Sequence, residues 1–132
     1  MMVMPFNAPG VAPPSSNYSH AVSVGPNMRW LVISGQVGLT PHGELRRGFG
    51  AQLEQSIANV LQIMAAERMA VRSLVKLTVY AVPSGPCVIA EYRTVRDRLL
   101  GDHAAAATFL GISGLAHPDF LVQVEGLAAA DP

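Results

Sequence analysis

The sequence is short of charge. Only 14% of its 132 residues are Asp, Glu, Lys or Arg, with nine basic against nine acidic side chains and a formal net charge of zero. Soluble chains average about 25% charged residues. No basic surplus is present to neutralise phosphates, which argues against a nucleic-acid-binding surface. Cysteine occurs once, at Cys87. That excludes an intramolecular disulfide and a C-x-x-C metal or redox motif, and it suits a reducing, cytoplasmic setting. No apolar run approaches the 18 or so residues of a membrane span. The N-terminal stretch lacks a basic n-region and is broken by Pro5, Pro9, Pro13 and Pro14, so it does not read as a signal peptide. No G-x-S-x-G elbow, P-loop or G-x-G-x-x-G run occurs. His20, His42, His103 and His117 do not pair with other ligand-type residues at i+3 or i+4 on a predicted helix, so no metal site is expected.

What the chain does have is apolar material, half of its residues. It is too apolar to be disordered and is sized for a single domain spanning 1–132. At about this length roughly 70% of the unfolded surface is buried. With so little charge to cover the remainder, one face is expected to be buried against a partner.

Hydrophobic period divides the chain. Residues 1–17 read as a Pro-rich extended lead-in. Strands are predicted over 20–24 and 29–34, separated by the turn Gly25-Pro26-Asn27, with a short third strand at 37–40. Leu53, Ile57, Val60, Leu61 and Met64 then fall on one helical stripe within a helix from Gly50 to about Ala70. Residues 73–82 are nearly continuously apolar and β-branched, as in a central strand. Val88, Tyr92, Val95 and Leu99 mark a second helix from about Cys87 to Leu100, with Gly101 where a C-cap belongs. Strands at 107–112 and 120–127 close the chain. The class is α+β: a mixed sheet with both helices on one face and the other face bare.

Few residues carry candidate chemistry. Ser34-Gly35-Gln36 is a strand end meeting a glycine, which exposes backbone N–H groups but is common at strand termini. Glu125 interrupts an otherwise apolar last strand and shares a face with Gln123, opposite Val122 and Val124. Such a carboxylate is solvated or salt-bridged, and a functional role needs a cleft beside it. Trp30 and Phe109 belong to the sheet core, an interface or an apolar cleft wall, and Cys87 begins the second helix.

Five segments in order, Asn17–Val22, Ile33–Gln36, Gln52 with Asn59, Leu74–Tyr80 and Leu121–Glu125, resemble the Rid (reactive intermediate deaminase) family, also called YjgF-like or L-PSP endoribonuclease-like. The likeness covers about residues 8–129. It implies a chorismate-mutase-like subunit, a homotrimer with its sheets facing inward, and small-molecule clefts at the subunit interfaces. It also implies hydrolysis of enamines or imines to a carbonyl compound and ammonia with no cofactor or metal. By this resemblance Glu125 orients or activates water, Tyr18 walls the cleft, and Ser34 and Gly35 contact the ligand.

One departure stands out. Archetypal members begin the strand before the last with an arginine that clamps a substrate carboxylate. The matching stretch here is His103–Thr108, which puts Ala107 at that position, followed by Thr108. Losing such a contact costs about 1.5–3 kcal/mol per hydrogen bond, so amino-acid-derived imines are expected to bind poorly. Arg93 sits where archetypal members often carry a cleft-reaching asparagine. It is either a substitute clamp or a solvated helix arginine paired with Asp97 at i+4. The readings carried forward are an imine or enamine hydrolase of unusual preference and a non-catalytic metabolite-binding or regulatory trimer. A ribonuclease is the weakest, given zero net charge and the single lysine.

Overall fold

The computed structural model describes residues 2–132. Its elements are β1 (Val3–Phe6), β2 (Ala21–Val24), β3 (Arg29–Val37), α1 (Phe49–Ala66), β4 (Leu74–Ala81), α2 (Pro86–Leu100), β5 (Ala106–Gly111) and β6 (Val122–Ala130). A 3-10 turn, Val71–Ser73, leads into β4.

Helix α1 begins after Gly48, whose φ of 89° favours glycine, and buries Leu53, Ile57, Val60 and Met64 completely. It ends in a reversal where Met69 N–H returns to the Met64 carbonyl at 2.9 Å, with Arg68 left-handed at φ 59°. Helix α2 starts with Pro86 in its first turn, where a missing N–H costs nothing, and stops at Gly101. Its buried residues, Tyr92, Val95, Arg96 and Leu100, follow the helical period.

The main sheet has the order β3-β6-β4-β5. β4 and β5 are parallel through α2, while β6 is antiparallel to both β3 and β4. Both helices cover one face, as the sequence pattern predicts, and Leu77, Val79, Ala81, Val122, Val124 and Ala128 meet them with at most 1% exposure.

Three expectations need correction. The lead-in is not merely extended, because Val3–Phe6 pairs antiparallel with β2 in a separate two-stranded ribbon. Pro5 is tolerated there because an edge strand leaves every second N–H unpaired. β2 therefore pairs with β1 and not with β3. The short strand at 37–40 is absent: β3 itself runs on to Val37 through a bulge, and only an isolated Leu39–Leu45 bridge follows. Nor is the face away from the helices wholly bare. The ribbon seals one end of it, where Val3, Val22 and Val24 pack with Val75, Leu127 and Ala129.

Candidate functional site

Two residues that carry the resemblance tie the loops down. The Gln52 side chain, 2% exposed, donates to the Arg46 and Asp119 carbonyls at 3.1 Å each and accepts from Leu121 N–H at 2.9 Å. Gly38 lies against it so closely that a Cβ there would come 2.6 Å from the Gln52 Cα. Asn59 donates to the Val37 and Leu39 carbonyls. Both hold the loops that flank β3 and β6, and neither is free for chemistry.

On the face away from the helices, the pleat raises a polar row. Thr108 of β5 pairs with Thr78 of β4, which pairs in turn with Glu125 of β6. Thr108 and Glu125 are thus two strands apart, about 10 Å. Tyr80 O–H donates a short hydrogen bond to Glu125 Oε1. That bond, then desolvation, pushes the Tyr80 phenol above its ordinary pKa. At the other end of the row Lys76 Nζ donates to Thr108 Oγ1 at 2.6 Å.

The β3 bulge lies beside this row. Ile33 faces Gly126 and Gln36 faces Val124, so two residues, Ser34 and Gly35, oppose the single residue Glu125. A bulge of this kind bends the strand and re-aims its side chains and backbone groups. Gly35 lies against the Gln123 side chain, whose amide would have to move to admit a Cβ there. Gln36 Nε2 bonds the Ser34 carbonyl at 3.2 Å. The register therefore brings Ser34, Gly35 and Glu125 together.

Tyr18, Arg93, Ala107 and Thr108 gather elsewhere, around a cavity of about 280 Å³ between α2 and β5. Ser15, Ser16, Ile89, Tyr92, Arg96 and Phe109 complete its walls. Phe109 packs on Tyr92 with ring centroids 4.9 Å apart, and burial pushes the Tyr92 phenol up. Arg93 lines this cavity and does not pair with Asp97, which is engaged by Arg96 instead. Trp30 lies on the open face, 53% exposed, so it is not sheet core, and Cys87 is exposed. A second hollow, about 570 Å³, opens on the other side of Ala107 and Thr108, between Lys76, Tyr18, His20 and the lip residues Phe6 and Val11.

The sequence reading missed Tyr80, Lys76 and Arg96. For the first two a signal existed, since Lys76, Thr78 and Tyr80 alternate with apolar residues at period two. Arg96 carried none: its 3% exposure arises from packing over the Tyr92 ring, with Cζ 5.1 Å from the centroid. Among the described residues no three His, Cys, Asp or Glu side chains gather as a metal site would need, and no helix is long and apolar enough to cross a membrane.

The chain resembles known proteins over nearly its full length. The family model "Endoribonuclease L-PSP" matches residues 9–130. YyfB from Yersinia pestis, a Rid-family protein of unknown function, is 29% identical with a TM-score of 0.89, over 98% of this chain and 100% of that one. RidA from an Antarctic Psychrobacter is 28% identical with a TM-score of 0.71, over 98% and 99%. Yeast Mmf1, at 23% identity, a TM-score of 0.70 and coverage of 99% and 95%, shares the fold. No curated protein matches. A family model spanning all but the two ends of the chain, on a fold shared with Rid proteins, places this protein in the endoribonuclease L-PSP family, among the Rid proteins.

Proposed function

We propose that this protein hydrolyses a reactive imine or enamine to a carbonyl compound and ammonia, with Glu125 as the acid/base. The observation that carries the reading is the β3 bulge, which sets Ser34 and Gly35 opposite a carboxylate held by Tyr80. An imine carbon is already electrophilic, so the protein has only to hold the substrate, place one water and move protons. Glu125 takes a proton from water as the oxygen adds to the carbon. It returns that proton to nitrogen, giving a carbinolamine, and then carries the carbinolamine O–H proton to the amino nitrogen, so that the C=O bond forms as the C–N bond breaks and ammonia leaves. Tyr80 keeps the carboxylate in one orientation, and the backbone at the bulge holds the ligand.

Neither the Glu125 row nor the α2–β5 cavity encloses a ligand within one chain. Trp30 at 53%, Val32 at 78% and Leu110 at 42% exposure surround the open face with apolar surface. A homotrimer packed through that face, with clefts between subunits, covers this surface and closes the site.

The test generates imines with an amino-acid oxidase, traps them with semicarbazide and follows carbonyl release. Acceleration by the protein, lost in Glu125→Ala, is the expected result. No acceleration with any substrate leaves a binding or regulatory trimer as the better reading. A light-scattering mass near the 13.9 kDa of one chain overturns the trimer.

A further inference from the structure

Arg96 is the one charged side chain buried among the described residues, and it lines the α2–β5 cavity. A guanidinium carries five N–H donors, and this one is only partly served. Nε donates to Asp97 Oδ1 at 2.9 Å, and Nη1 reaches Ser16 Oγ at a long 3.4 Å. Nη2 also lies 2.9 Å from that Asp97 oxygen, yet its N–H groups are out of line with it and donate to nothing. One turn earlier, Arg93 lines the same cavity and has no carboxylate partner among the described residues. Of the two guanidiniums only Arg96 meets a carboxylate, that of the half-exposed Asp97. Opposite them Ala107 presents only a methyl group, which leaves room for a ligand to reach α2, and Ser15 and Ser16 flank the space.

We infer that Arg93 and Arg96 form a carboxylate-holding pair on α2, so that the cavity takes a small carboxylate-bearing ligand with its acid group toward the helix and not toward β5. The planar fork of arginine fits a carboxylate through two parallel hydrogen bonds, and Arg96 keeps N–H donors that neither Asp97 nor Ser16 uses. The inference rests on the cavity being part of the proposed reactive cleft. It reverses the expectation drawn from Ala107: acid-bearing imines are bound, from a different wall.

The experiment titrates the intact protein with benzoate and with its neutral isostere benzamide, following the arginine Nε–H signals by NMR. Benzoate is expected to shift Arg93 and Arg96 and to bind at least about tenfold more tightly than benzamide. Arg93→Ala, at an exposed position, and Arg96→Lys, which keeps the charge but loses the fork, should each weaken benzoate about tenfold and leave benzamide unchanged. A merely structural arginine would instead lower thermal stability and weaken both ligands alike. Equal binding of acid and amide, equal loss of both in Arg93→Ala, or no saturable benzoate binding overturns the inference. Failure of the imine assay beside intact benzoate binding overturns the catalytic reading and leaves the carboxylate pair standing. Imine turnover with equal acid and amide binding does the reverse.

Discussion

The two faces of the main sheet are built from the same strands and differ in almost everything else. Toward the helices, Leu77, Val79, Val122 and Val124 are at most 1% exposed and belong to the hydrophobic core. One residue away along each strand, Thr78, Tyr80 and Glu125 carry hydroxyls and a carboxylate on a face with exposed Trp30 and Val32. Period two lets adjacent residues serve opposite tasks. The core lies on one parity of the strand and the polar row on the other, so each can change with little effect on its neighbour. The α2–β5 cavity is the exception: there Tyr92 and Arg96 sit in the helix layer and line a ligand-sized space as well.

The sharpest way to break this contrast uses neighbours on β4. Leu77→Ala empties a fully enclosed position and should cost about 2–5 kcal/mol in denaturant unfolding. Thr78→Ala, one residue on, should stay within about 0.5 kcal/mol. Similar losses at both positions would mean that the open face is packed as tightly as the core. Next in size is Glu125→Gln, which preserves shape and still accepts from Tyr80 but cannot take a proton. We expect kcat/KM on the responsive imine to fall about 100-fold or more, with unfolding midpoints unchanged. A loss of stability in step with activity would assign Glu125 to the structure instead.

How much of this was legible depended on how local the cause was. The stripe from Leu53 to Met64, the second helix from about Cys87 and Gly101 at its end are read within one or two turns, and all three stand in the structure. The alternation of Gln123 and Glu125 with Val122 and Val124 gave the parity of β6 correctly. Pairing partners were less legible, because they join distant segments. Nothing near Pro5 announces that Val3–Phe6 finds β2, and nothing near residue 37 announces that β3 passes through a bulge. In β4 the apolar content masked the polar parity of Lys76, Thr78 and Tyr80. Arg96 depended on three segments at once, since Ser16, Tyr92 and Asp97 must converge before a guanidinium is enclosed.

Assembly offers a third way to sharpen the contrast. Val32, 78% exposed on the open face, contributes little to the fold of one chain. If copies pack through this face, Val32→Glu brings like charges and an unpaired carboxylate into the contact. Sedimentation should then show dissociation at concentrations where the parent remains associated, while the unfolding of each chain is little changed. An unaltered mass would place the contact elsewhere and leave the Glu125 row open to solvent.

The smallest effect is expected from Tyr80→Phe, and pH separates it from packing. The hydrogen bond to Glu125 favours the neutral phenol, so the folded-state pKa of Tyr80 lies above the ordinary value of 10.0. A group raised in this way contributes stability that is complete below its unfolded pKa and is lost as pH rises through the folded one. The parent should therefore lose stability relative to Tyr80→Phe above about pH 10, with a constant difference between the two at neutral pH. Tyr92, raised by burial, shifts both proteins equally and cancels in the comparison. Ultraviolet titration of the phenols should show one high-pH step missing in the variant. Parallel stability curves up to pH 11 would mean that Tyr80 and Glu125 are not coupled in solution. The carboxylate would then be held by the bulge alone, and Tyr80→Phe should leave imine turnover unchanged.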